Sequence, residues 1–300
     1  MKTILITGGT GYVGSNLTIF FLKNKYKVIV LYNDGHGQLS DDDNENLIFI
    51  NKNNLEYIKD YNIDVIYHLA SVQPSASISY QEFYETNVRF TLDIIQVAKE
   101  NNVQQFIYVS TTSIFSGLGD TQALSEISMP NPSNNYGLTK YIAEKVIELE
   151  LKSENLKVAI VRFPSIFGQN NDGIVKTIYE SAIKSEDIEI YSNGERYRNL
   201  IYLDSAVEFL YLLYIRKDNL ENFEVFMAGS NNSLRLLDIA KLIVKMTDSD
   251  SLIIPVNKYP PVDFDIKLKI TKSITKLNFN ALSIEDGLKK YINERQNENI

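Results

Sequence analysis

The stretch 134–145, "NNYGLTKYIAEK", holds two Tyr-x-x-x-Lys pairs, Tyr136/Lys140 and Tyr141/Lys145. A helix puts residues four apart on one face, so each lysine can lie beside its tyrosine. That pairing suits proton transfer, because a nearby ammonium favours the phenolate. A tyrosine with an ordinary pKa near 10 must move down by about 3 pKa units, roughly 4 kcal/mol, to act as a base near neutral pH. The chain has 19 tyrosines. About one or two such spacings arise by chance, so the spacing alone does not choose between the pairs.

A second chemical signature opens the chain. "ILITGGTGYVGSNL" sets Gly8, Gly11 and Gly14 between an apolar run and a helical pattern. Glycines placed there serve a tight turn, a close backbone approach to a pyrophosphate, and helix-on-strand packing. The first-turn amides around Tyr12 and Val13, together with the helix dipole, then face the anion. A glycine turn that merely packs is the alternative, but the strand–turn–helix position favours a dinucleotide. About 20 residues on, an acidic ligand for the adenosine ribose is expected. "VIVLYNDGHG" puts Tyr32 in that place, with Asn33 and Asp34 after it. No Arg or Lys follows to meet a 2′-phosphate. The loop therefore favours NAD over NADP, with Asp34 as a displaced ribose ligand.

These residues need a frame to hold them. Three hundred residues, 44% hydrophobic and 23% charged, suit a soluble globular protein with a sizeable core. A net charge of -8 argues against nucleic acid or an anionic membrane as the main partner. The absence of cysteine removes disulfides, thiolate nucleophiles and Cys-ligated metals, and two histidines, His36 and His68, are too few for a His-rich metal site. The apolar run at the start is too short for a signal peptide, and no later stretch approaches about 18 apolar residues, so a cytoplasmic location is expected.

Nearly continuous apolar runs at 2–7, 27–32, 46–51, 64–70, 105–110 and 157–163 read as strands buried on both faces. Helical spacing fills 12–24, 79–101 and 136–153 between them. That alternation predicts a doubly wound α/β sheet. After residue 168 the rhythm loosens, with helices expected at 205–215, 233–246 and 283–293 in a smaller, mixed C-terminal lobe. The turn-rich "GQNNDG" (168–173) marks the expected boundary, giving domains 1–168 and 169–300, with some later segments returning to the first. "SDDDNEN" (40–46) reads as an acidic surface loop.

Taken together, these motifs resemble the extended short-chain dehydrogenases/reductases, the family of nucleotide-sugar epimerases, dehydratases and reductases, from residue 1 to about 240. "HLAS" (68–71) is similar to the family's fourth-strand end, which places Leu69, Ala70 and Ser71 on the cofactor and Gln73 near the substrate. Asn87 falls on the family's helix asparagine. "STTSIF" resembles its Ser-Ser-x-x-Val-Tyr and assigns the catalytic hydroxyl to Thr111, with Thr112 and Ser113 toward the substrate. "NNYGLTK" resembles Tyr-Gly-x-Ser-Lys and selects Tyr136 and Lys140 as catalytic and cofactor-binding residues. Tyr141, about 140° further round the helix, should face elsewhere. "VRFPSIFG" (161–168) resembles the strand ending near the nicotinamide, which brings Phe163, Ser165 and Ile166 to the cofactor and Ser165 also to the substrate. "NGERYRNLIYLD" maps Arg198 onto the arginine that grips the nucleotide diphosphate, a role suited to bidentate guanidinium pairing. The family's C-terminal Arg-Pro-Gly-Asp is replaced by "KYPPVDFD" (258–265). The resemblance implies a Rossmann-type sheet with a substrate lobe, an NAD(P) cofactor, a nucleotide-diphosphate sugar as partner, and a homodimer built on the helices at 79–101 and 136–153.

Absences narrow the implied reaction. A 4,6-dehydratase of this family needs an Asp-Glu pair after the catalytic hydroxyl, where this chain has Thr112 and Ser113. A 3,5-epimerase/reductase uses a Cys–His pair, and there is no cysteine. What remains is hydride transfer at one ring carbinol or ketone, foremost C4, by a 4-keto reductase or 4-dehydrogenase. A 4-epimerase that retains NAD is the alternative. A non-catalytic dinucleotide sensor on the same fold is a rival of another class, and the Thr111, Tyr136 and Lys140 set weighs against it.

Overall fold

Apolar, β-branched runs become the strands β1 (Thr3–Thr7), β2 (Lys27–Tyr32), β3 (Leu47–Asn51), β4 (Val65–His68), β5 (Gln105–Thr111) and β6 (Lys157–Phe163) of the computed structural model. The structure describes residues 1–39, 44–73, 77–118, 122–258 and 264–297. Residues 40–43 of the expected acidic loop and 259–263 of the "KYPPVDFD" segment lie outside the described residues. A seventh strand, Phe223–Met227, joins the sheet, whose order is Phe223–Met227, β6, β5, β4, β1, β2, β3. β1 pairs in parallel with both β2 and β4, and β4 with β5. The strand order therefore reverses beside β1, and the crevice between the carboxyl ends of β1 and β4 is where such sheets bind ligands. Thr7 and His68 are register partners at that point.

The chain folds into two compact units. The first comprises Met1–Thr111, Asn135–Arg162 and Phe209–Phe226. The second comprises Thr112–Asn134, Phe163–Glu208 and Met227–Ile300. The turn-rich 168–173 stretch thus lies inside the second unit, and the nearest switch is at Arg162/Phe163 rather than at 168. The first unit's core packs Leu5, Ile66, Phe106, Ala143 and Ile147, all fully buried. Each of the larger ones, the leucine, isoleucines and phenylalanine, contributes about 1.5–3 kcal/mol of burial. The second unit has its own core around Ile178, Tyr179, Ile239 and Leu288.

The α-helices among the described residues are α1 (Tyr12–Lys23), α2 (Tyr80–Tyr84), α3 (Phe90–Glu100), α4 (Asn135–Leu151), α5 (Ile174–Ile183), α6 (Leu203–Ile215), α7 (Leu236–Met246), α8 (Thr271–Leu277) and α9 (Ile284–Asn297). The helix expected over 79–101 is interrupted. Ser79 starts it with a capping box to Glu82, but Glu85–Arg89 form a π-helical turn before α3. One residue too many in a turn re-aims the side chains around it, which periodicity alone does not reveal. The reading of the sequence also missed α5, α8 and the seventh strand. Their short apolar runs follow turn-rich stretches and lack the length that separates helix from strand.

Candidate active site

The loop between β1 and α1 is shaped by its glycines. Gly8 has φ +66, and a side chain there would meet the Ala70 backbone at 2.8 Å. A side chain on Gly14 would lie 2.1 Å from the Gly8 carbonyl. These two positions need glycine for the fold itself. Gly11 differs, because its added carbon would meet only the Gly8 oxygen, at 3.2 Å. Gly11 caps α1 with extended backbone and no side-chain hydrogen bond. Gly11, having no side chain, places no capping oxygen of its own on the first turn at Tyr12, Val13 and Gly14, which suits an anion site at a helix N-terminus. This cradle fits a dinucleotide pyrophosphate.

At the end of β2, Tyr32 is half-buried, edge-on to His36 at 4.7 Å and to Phe49 at 6.2 Å. His36 stacks on Phe49 at 3.8 Å. The Asn33 amide donates to the exposed Asp34 carboxylate, and Asn51 donates to the Asn33 carbonyl at 3.3 Å. A side chain on Gly37 would approach the Thr10 carbonyl to 3.0 Å, so this segment reaches the glycine loop. An acidic group thus sits at the expected adenosine end, two residues later than usual.

Beyond β4, buried hydroxyls and amides form one continuous network. His68 is fully buried, with Nδ1 2.7 Å from Thr7 Oγ1 and Nε2 2.8 Å from Thr91 Oγ1. Thr91 gives its only hydroxyl proton to the Asn87 carbonyl at 2.7 Å, so it must accept from Nε2–H, and Nδ1 accepts from Thr7. Burial, and then the neighbouring Lys140, lowers the His68 pKa to about 3. His68 is a neutral structural link. The π-helical turn presents Asn87, whose Oδ1 accepts from Ser71 Oγ at 3.0 Å and Val72 N at 3.2 Å, while Nδ2 donates to Thr139 Oγ1 at 3.0 Å. Ala70 N donates to Thr7 Oγ1 at 3.1 Å, and this fixes the Leu69–Ala70 backbone beside the glycine loop.

Helix α4 decides between the two Tyr-x-x-x-Lys pairs. Lys145 is exposed and paired with Glu148 at 2.6 Å, whereas Lys140 is 1% exposed. Lys140 Nζ donates to the Val109 carbonyl at 2.6 Å and lies 4.1 Å from the centre of the Tyr108 ring. Burial lowers its pKa to about 7, with Glu144 opposing the shift. Tyr136 is raised by burial, while hydrogen bonds with Thr111 and Ser71 pull it down. The first unit thereby gathers Thr111, Tyr136, Lys140, Ser71 and Asn87. Sequence reasoning missed the layer beneath them. Glu144, four residues after Lys140, takes 2.7 and 3.1 Å bonds from Arg162 and a 2.5 Å bond from Ser110. An arginine within the apolar run "KVAIVRF" was the available signal.

The remaining assigned residues belong to the second unit, and Gln73 is exposed in the first. Thr112 is buried and Ser113 half-buried in a 3-10 turn, Thr112–Phe115. Phe163 is buried, and Ser165 and Ile166 lie on the short strand Ser165–Phe167, which pairs in parallel with Leu200–Tyr202. Arg198 is half-buried, and its Nη1 donates to the Tyr197 and Phe264 carbonyls at 3.0 and 2.8 Å.

Comparison with known proteins gives this geometry a context. The model of the NAD dependent epimerase/dehydratase family matches residues 4–229. A dTDP-D-glucose 4,6-dehydratase of Dictyostelium discoideum is 29% identical over 276 residues, 82% of this chain and 62% of that one. This chain therefore spans less than two thirds of that relative's length. Among solved structures, the UDP-glucose 4-epimerase of Thermotoga maritima, with UDP-glucose, is 26% identical. It superposes with a TM-score of 0.85 over 99% of this chain and 100% of its own. The UDP-glucuronic acid 4-epimerase of Bacillus cereus, in complex with UDP-glucuronic acid and NAD, is 25% identical with a TM-score of 0.84, covering 98% and 99%.

Proposed function

The chain belongs to the NAD dependent epimerase/dehydratase family, and we propose that it is an NAD-dependent oxidoreductase that transfers hydride at C4 of a nucleotide-diphosphate sugar, as a 4-keto reductase or 4-dehydrogenase. The observation that carries this reading is the meeting of Tyr136 with Thr111 in the unit that buries Lys140. Glycine-loop shape and the Asp34 carboxylate support NAD as the cofactor, and Leu69, Ala70, Ser71, Asn87, Phe163 and Ile166 complete its surroundings in this reading. When bound, the nicotinamide accepts or supplies the hydride at the sugar carbon.

The protein's own residues handle the proton. In the oxidative direction Tyr136 takes the C4 hydroxyl proton, and in reduction it returns that proton to the carbonyl oxygen. Thr111 hydrogen-bonds the same sugar oxygen and orients it. Lys140 as ammonium stabilises the phenolate, which offsets the upward pull of burial on Tyr136. Gln73, Thr112, Ser113 and Ser165 contact the sugar, and Arg198 pairs with the diphosphate. No carboxylate stands at 112 or 113, which leaves elimination without its base and favours simple redox.

A second reading, a 4-epimerase that retains NAD, is supported by the likeness to the Thermotoga 4-epimerase. Purified protein incubated with UDP- and dTDP-sugars and their 4-keto forms, followed by nicotinamide absorbance and product NMR, separates the two. Net absorbance change with one product stereochemistry fits the oxidoreductase. Interconversion of C4 epimers with co-purified NAD(H) fits the epimerase. No turnover across the panel overturns both and favours a dinucleotide sensor. In the same reading the protein is a cytoplasmic homodimer, consistent with the exposed Tyr80, Leu138 and Leu149 on α2 and α4. Among the described residues, no helix is long and apolar enough to cross a membrane.

A further inference from the structure

Beneath Lys140 lies a buried ion pair that the proton chemistry above does not use. Glu144 and Arg162 are 2% and 5% exposed. Arg162 Nε reaches both carboxylate oxygens at 3.1 and 3.2 Å, and a terminal guanidinium nitrogen reaches Oε2 at 2.7 Å. Taking two charges out of water costs several kcal/mol per ion, and a well-packed apolar pair of similar volume is often as stable. Stability is therefore a weak reason for placing them here. Their position supplies a better one. Lys140 and Glu144 are one helical turn apart on the buried face of α4. They rest on alternate residues of β5, Lys140 over the Tyr108 ring and Glu144 on the Ser110 hydroxyl.

We propose that Glu144 is a positioning residue for Lys140: its carboxylate, clamped by Arg162 and Ser110, holds the Lys140 ammonium at the Val109 carbonyl and favours its charged form. The groups around Lys140 leave that task to Glu144. From β4, His68 is neutral and held between Thr7 and Thr91. From β5, Tyr108 is a phenol raised well above its usual range by burial, then by Glu144 and Tyr136. On α4 itself, Tyr136 is neutral until it gives up its proton. From β6, Arg162 stands across the carboxylate and opposes a second cation. Glu144 is the electrostatic influence that favours the ammonium against burial. Arg162 sets how much of that influence reaches Lys140, since it neutralises the same carboxylate.

The functional consequence rests on Lys140 serving Tyr136 as proposed above, whereas the coupling itself is measurable in the free protein without substrate. The Lys140 side-chain NMR signal, identified by its loss in Lys140→Met, is titrated in the full-length chain. Glu144→Gln keeps the shape and the Ser110 bond but removes the negative charge that Arg162 pairs with and that favours the Lys140 ammonium. Its Lys140 midpoint should fall by about one pH unit or more, the scale set by one close charge. Arg162→Gln should move the midpoint upward, and the double variant Glu144→Gln/Arg162→Gln, with no net charge change, should return it toward wild type. Unmoved midpoints, or shifts of the same sign in both single variants, overturn the proposal. Should Glu144→Gln not fold, Glu144→Asp draws the carboxylate back by one methylene. A lower midpoint in that variant supports the coupling, and an unchanged one overturns it. If the midpoints move as expected and no sugar turns over, the coupling stands and the proposed reaction falls.

Discussion

Replacing Lys140 with methionine should make the protein more stable while removing its activity. The lysine is fully buried, and its pKa is lowered from 10.5 to about 7. At about 1.4 kcal/mol per pKa unit, the cost of carrying that charge into the interior is roughly 5 kcal/mol. Methionine fills a similar volume without charge but forfeits the 2.6 Å bond to the Val109 carbonyl and the contact with the Tyr108 ring. Leaving that carbonyl without its donor costs about 1–3 kcal/mol. A net gain of roughly 2–4 kcal/mol remains near neutral pH, worth about 3–6 °C in melting temperature for a protein of this size. The pH dependence is specific. Between about 7 and 10.5 the unfolded chain holds the lysine proton and the folded chain does not, so wild-type stability rises with pH across that window. Below it both states are protonated and the penalty is constant. The advantage of Lys140→Met should therefore be flat at acid pH and shrink from about pH 7 upward. Thermal unfolding by calorimetry or circular dichroism of ligand-free protein, from pH 6 to 9.5, is the assay. A variant less stable than wild type at pH 7, or an advantage that does not change with pH, would refute the placement of a charged lysine in a dry site.

Tyr136→Phe keeps the ring but loses the proton-transfer hydroxyl, so turnover should fall about 10²-fold or more with little change in NAD affinity. Tyr141→Phe and Lys145→Met, on the half-buried tyrosine and exposed lysine of the other pair, should stay within a few-fold of wild type in the same absorbance assay. Full activity in Tyr136→Phe with a dead Tyr141→Phe would reverse the assignment. Gly11→Val should abolish NAD binding by calorimetry while preserving the circular dichroism spectrum, because an added carbon there meets a single neighbour, the Gly8 oxygen at 3.2 Å, and asks it to shift by only a few tenths of an ångström. Gly14→Ala, 2.1 Å from a carbonyl, should instead lower the melting temperature markedly. NADPH binding tenfold tighter than NADH would contradict the role given to Asp34. Light scattering at micromolar concentration should return a dimer mass, and a monomer mass would refute the homodimer.

Much of the frame was legible because it depends on local periodicity. The runs at 27–32 and 157–163 coincide with β2 and β6, since a strand buried on both faces must be apolar at nearly every position. The three glycines were legible as well, because backbone proximity tolerates no substitute at Gly8 and Gly14. Other features arise only when distant segments meet. Spacing makes Tyr136/Lys140 and Tyr141/Lys145 equal; the resemblance of "NNYGLTK" selects the first pair, and packing supplies the physical difference by burying Lys140 and leaving Lys145 in water. The π-helical turn that aims Asn87 at Ser71 and Thr139 follows from contacts 16 and 52 residues apart. The clamp of Arg162 on Glu144 joins a strand and a helix whose separate patterns mention no partner. Sequence patterning determined six strands of the sheet, the longer helices, and where a dinucleotide can approach the backbone. Tertiary structure decided which titratable groups lose their water, and with it their pKa, because desolvation belongs to the packed surroundings of a group and not to its neighbours along the chain.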